Sequence, residues 1–117
     1  MIEEREILFA AAGTEDMLGT DDVGGEDSLL RESEDFWTEI TFALLGTTTS
    51  MDYTLRAGSE VLARGRIGSG GTIGVMPTET TAAFKTVMCP PNLRLSLPVV
   101  NATGTPSAMM VIGREAV

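Results

Sequence analysis

The feature that most constrains this chain is a period of two. From Phe36 onward, apolar and polar residues alternate in short runs, and turn-forming residues break the pattern every eight to twelve positions. Alternation sends successive side chains to opposite faces of a strand, so one face of each run can be buried while the other meets water. No segment carries a convincing 3.6-residue period, which excludes a helical bundle. The pattern predicts an all-β fold: an antiparallel β-sandwich of about seven strands, jelly-roll or immunoglobulin-like in connectivity.

The runs can be placed. Phe36 to Leu45 sets Phe36, Ile40, Phe42 and Leu44 against Trp37, Glu39, Thr41 and Ala43, and Gly46 to Ser50 ends it. Met51 to Arg56 and Glu60 to Ile67 form a hairpin around Ala57-Gly58-Ser59, with polar residues outward. Thr72 to Met76, Ala82 to Cys89, Leu93 to Val100 and Ala108 to Gly113 complete the set, separated by Pro77, by Pro90-Pro91-Asn92 and by the turn from Asn101 to Ser107. The single helix candidate is Asp27 to Asp35, where Asp27 or Ser28 can cap a turn or two over Leu29 and Leu30.

Residues 1–35 differ in kind. Ile2, Ile7, Leu8 and Phe9 make a short strand-like piece, but Gly13 to Asp27 holds four glycines and six acids with only Met17, Leu18 and Val23 to bury. This reads as an extended acidic N-terminal arm (1–35) attached to a sandwich domain (36–117). A segment that cannot offset its ordering entropy alone stays mobile or docks on another subunit, for example by adding a strand to a neighbour's sheet edge.

Charge follows the same division. Residues 1–39 contain thirteen acids and two arginines, a net −11, whereas residues 40–117 contain four acids and six cations, a net +2. An acidic arm is repelled by phosphate and the scattered cations make no basic stripe, so no direct nucleic-acid binding is expected. No run of about 18 apolar residues is present to cross a membrane, so no membrane partner is expected either. Glu3 and Glu4 stand where a signal peptide would carry basic residues, which implies synthesis in a reducing cytoplasm with Cys89 as a free thiol.

The chemistry left open is narrow. With no histidine and one cysteine, the chain has no Ser-His-Asp triad, Cys-His dyad, histidine metal site or internal disulfide. Asp21, Asp22, Glu26 and Asp27 are the candidates for a Ca²⁺ site, but their spacing fails the EF-hand pattern and the segment is read as a solvated acidic linker. Gly65 to Gly74 contains neither G-x-G-x-x-G nor G-K-[ST] and is read as a flexible hairpin rather than a phosphate loop. Asn101-Ala-Thr103 is read as a turn rather than a glycosylation site, and Cys89 as a buried structural thiol. No enzyme activity and no cofactor are expected.

Three segments, Met51-Asp-Tyr-Thr-Leu-Arg56, Gly58-Ser-Glu-Val-Leu-Ala-Arg-Gly65 and Asn92 through Ala108, resemble the strand-and-turn grammar of small β-sandwich proteins of bacteriophage virions, of the jelly-roll-like capsid decoration or cement type. The resemblance covers residues 36–117. It implies a sandwich seated on a shell, an arm reaching a neighbour, and the major capsid protein or other virion subunits as partners, with a homo-oligomer, trimeric as one option. No catalytic residue comes with it. The expected location is the virion, after synthesis in the host cytoplasm. Partner contacts are expected from the apolar tip Ile7, Leu8 and Phe9, and from Phe36 and Trp37 where arm meets body. The alternative reading is a carbohydrate- or calcium-dependent binding module.

Overall fold

A computed structural model describes residues 2–19, 27–32 and 34–117. Its strands are β1 (Ile2–Leu8), β2 (Gly13–Asp16), β3 (Thr38–Gly46), β4 (Met51–Ala57), β5 (Glu60–Ile67), β6 (Lys85–Cys89), β7 (Leu95–Ser96), β8 (Pro98–Asn101) and β9 (Ser107–Ala116). They form two sheets. Sheet I has the order β1-β9-β3-β6, and sheet II the order β2-β8-β4-β5 with β7 beside β4.

Leu97 alone separates β7 from β8, so the two are one interrupted strand. Counted that way the pairing is nested: β1 meets β9, β2 meets β8, β3 meets β6 and β4 meets β5, every pair antiparallel. A long antiparallel ribbon folded over on itself gives this order, which is the connectivity of an eight-stranded jelly roll. Of the two sandwich types expected, the jelly roll is therefore the one found. Among the described residues the expected seven strands become nine: Thr72 to Met76 is lost, β1 and β2 are added from the first sixteen residues, and Leu97 divides one run in two.

The core is what the alternation dictates. Ile40, Phe42 and Leu44 of β3, Tyr53 and Leu55 of β4, Val99 of β8, and Met110 and Ile112 of β9 are buried between the sheets. The rings of Phe42 and Tyr53 meet edge-to-face at 5.7 Å across the layers. Burying each large aliphatic or aromatic side chain stabilises the fold by about 1.5–3 kcal/mol.

The expected arm is instead part of the sandwich. β1 lies along β9 over seven residue pairs, from Ile2↔Gly113 to Leu8↔Ser107, and β2 lies along β8. The physical reason is a second kind of burial, through polar contacts that composition does not reveal. Arg5 points inward, two residues from Ile7; its Nε donates to the Met17 carbonyl at 2.7 Å and its Nη2 to the Gly19 carbonyl. Glu3 accepts from the Ser28 hydroxyl and, at 3.1 Å, from the Leu29 amide. From β9, Arg114 donates to the carbonyls of Leu30 at 3.0 Å and Glu32 at 2.9 Å. Two arginines of sheet I thus satisfy the carbonyls of the connection between β2 and β3.

Two further segments differ from expectation. The helix candidate contains a single 3₁₀ turn, Leu29–Arg31, capped by Ser28. Thr72 to Met76 is not a strand: the 17 residues between β5 and β6 cross from the edge of one sheet to the edge of the other, through Gly74 at φ +81°. Near the start of that crossing the Gly46 amide donates to the Gly68 carbonyl at 2.8 Å and the Gly71 amide to the Gly46 carbonyl at 2.9 Å. A Cβ on Gly71 would stand 2.9 Å from both the Gly46 carbonyl and the Leu45 side chain, so glycine is required there by close approach.

Candidate protein-interaction face

The residues singled out from the sequence divide sharply. Ile7 and Phe9 are only 2% and 3% exposed and belong to the protein's own core, so they are not partner contacts. They follow from β1 being a true sheet strand: Ile7 shares the inward side with Arg5. Leu8 points the other way and is exposed, as are Phe36 and Trp37. Asp27 sits 3.6 Å from Arg31 in an ion pair, while Asp21, Asp22 and Glu26 lie outside the described residues. Among the described residues, no group of three His, Cys, Asp or Glu side chains is placed to hold a metal ion.

Cys89 is a buried free thiol at the end of β6. Burial pushes its pKa up, opposed by a hydrogen bond with Thr38 and by the positive charge of Arg114. Asn101 is buried; its amide donates to the carbonyls of Ala11 at 3.2 Å and Gly104 at 3.0 Å, closing the turn before β9.

A surface that the sequence did not announce emerges from strand register. On the outward side of sheet I, Thr41 stands opposite both Gly113 and Thr86, Ala43 opposite Val111, Val111 opposite Glu4, and Gly113 opposite Ile2. Phe84, one residue before β6, continues the outward series of Thr86 and Met88. Ile2 is 76% exposed, Trp37 51%, Met88 43% and Phe84 39%. Ile2, Thr41, Phe84 and Val111 line a groove of about 270 Å³ on this side. At its end the Trp37 carbonyl accepts the Val117 amide at 3.3 Å, extending the apolar strip with a residue that is itself largely exposed. Exposed large apolar side chains gathered on one side make it the candidate for protein contact.

Carboxylates cut across the strip: the Glu39–Glu115 pair lies on the two central strands, between the level of Trp37 and Val117 and the level of Thr41 and Gly113. Glu4, Glu39 and Glu115 are all exposed and occupy outward positions, and no Lys or Arg occupies an outward position on these four strands. Glu39 and Glu115 are direct cross-strand neighbours. Like charges directly opposite one another in a sheet are destabilising, so this end of the face gains from any cation brought against it. The sequence signal was present but diluted: Glu39 and Glu115 are 76 positions apart, and only the β3–β9 register joins them.

Compared with models of protein families, with curated proteins and with solved structures, the chain matches none.

Proposed function

We propose that the protein is a structural virion subunit, of the decoration or cement type, that binds a capsid lattice by contact alone. The observation that carries this reading is the outward face of sheet I, where exposed Ile2, Trp37, Phe84 and Met88 are interleaved with Glu4, Glu39 and Glu115. Exposed aromatic residues are enriched at the anchoring points of protein–protein interfaces. Jelly-roll connectivity supports the same reading by analogy of fold, since viral shells use this architecture repeatedly. The major capsid protein or another virion subunit is the partner, and the protein takes its place on the particle after synthesis in the host cell.

The experiment is co-sedimentation of the purified protein with shells assembled from a major capsid protein of the same source. Wild-type protein should saturate the shell at a fixed ratio. The double variant Trp37→Glu, Phe84→Glu should lose binding by at least about tenfold, because charge is placed into an apolar contact, while its melting temperature stays unchanged because both side chains are exposed. Equal binding by this variant, or no binding by the wild type, overturns the proposal.

A further inference from the structure

The opposite side of the sandwich carries the opposite charge. On sheet II, Arg66 stands across from Asp52 and Arg64 across from Thr54, which places these four on one outward surface with Arg56, two residues beyond Thr54 and across from Ser96. Asp52 is held by Arg66 at 3.1 Å. Arg56 and Arg64 have no ion pair among the described residues. Val100 of β8 stands across from Asp52 and is also exposed. One broad face is therefore apolar and acidic, the other polar and cationic.

We infer that the outward face of sheet I docks on the outward face of β4–β5 of a second copy of this chain. Arg56 and Arg64 of one molecule meet the Glu39–Glu115 pair of the next, and the apolar strip covers the neutral ground around Thr54 and Val100. Charge complementarity selects this occupant. Two sheet I faces brought together would oppose carboxylates to carboxylates, and two sheet II faces would oppose arginines, each costing rather than adding affinity. At one end of the sheet I side Leu45, Met109 and Glu6 are buried, so the accessible contact runs from Val111 and Phe84 to Trp37 and Val117 and falls at the small end of the range for specific interfaces. Because the two docking surfaces differ, the contact is heterologous: each added copy leaves one face of each kind free, and the product is a ring or a stack rather than a closed two-fold dimer.

This inference rests on reading the sheet I face as the contact surface of the protein, and it names the partner. The test uses two variants of the full chain: Glu39→Lys with Glu115→Lys, and Arg56→Glu with Arg64→Glu. All four positions lie on sheet surfaces, and circular dichroism checks that both variants fold. In sedimentation velocity at low salt, wild-type protein should form concentration-dependent species larger than the 12.4 kDa monomer. Each variant alone should associate at least about tenfold more weakly.

The decisive sample is an equal mixture of the two variants. The two untouched faces form the original junction, and the lysines introduced on sheet I of one variant meet the glutamates introduced on β4–β5 of the other, so mixing must restore association in alternating copies. A wild-type protein that stays monomeric at every concentration overturns the inference, as does association by either variant at wild-type strength, or a mixture that associates no better than the variants alone. The shell co-sedimentation keeps the two readings apart. Shell binding by a protein that never self-associates removes the stacking and leaves the lattice role standing, and self-association without shell binding does the reverse.

Discussion

Asp16 uses one carboxylate to tie three parts of the chain together. Its Oδ1 accepts the amides of Leu18 and Leu97, each at 2.9 Å, and its Oδ2 meets Arg31 at 3.1 Å. Leu97 is the fully buried residue that interrupts the β7–β8 strand, so its amide needs this side-chain acceptor. Asp16→Ala should destabilise the fold by about 1–3 kcal/mol for each buried donor left unsatisfied. Asp16→Asn keeps an oxygen acceptor and should lose less; equal losses in urea unfolding would refute the account. Cys89 gives a pH signature. Burial raises its pKa above the ordinary thiol value of 9.0, so the folded state keeps a proton that the unfolded state releases. The resulting stability is fully present below the unfolded pKa and is lost as pH rises through it toward the folded value. The melting temperature should fall as pH rises through 9.0, with a slope that Cys89→Ala reduces. At this scale the alternating apolar positions were legible, and so was a buried Cys89. The inward arginines were not, because a guanidinium reads as surface until the carbonyls that receive it are in place. One clue was available: Arg5 lies two residues before Ile7 and Arg114 two after Ile112, on the buried parity of each strand.

At the level of elements, the outcome turns on β1. It contributes Ile7 to the core, and the Arg5 and Glu3 contacts anchor the connection that follows β2. Removing residues 1–9 should therefore abolish cooperative unfolding rather than trim a free arm. A sharp thermal transition in the truncated chain, followed by near-ultraviolet circular dichroism, would show that β1 is dispensable. The same comparison explains which elements sequence reading recovers. The hairpin of β4 and β5 and the long strand β3 begin and end within two residues of their predicted limits, since pattern and turn residues agree there. β1 reads as strand-like but not as part of the sandwich, and β2 escapes altogether, because their pairing partners, β9 and β8, lie 82 to 111 residues away and their composition is acidic. Thr72 to Met76 misleads in the opposite direction: it has strand composition, but the chain is occupied in crossing between sheets.

Across the whole molecule, the charge imbalance of the sequence becomes an imbalance of faces. The acids of the first 39 residues place Glu4 and Glu39 on sheet I, while Arg56, Arg64 and Arg66, three of the five arginines that follow, fall on β4 and β5 of sheet II. The candidate contact face was half-visible for that reason. Trp37 was marked in advance, but Ile2, Phe84 and Met88 join it only through the register of four strands drawn from both ends of the chain.

That register also orders events during translation. β9 sits between β1 and β3 in sheet I, yet it is the last of the nine strands to leave the ribosome. At about 5–20 residues per second, β1 waits several seconds for the only strand beside which it can lie. Through that interval β1 and the facing edge of β3 lack their partner, and the arrival of a single strand closes both sides of the gap at once.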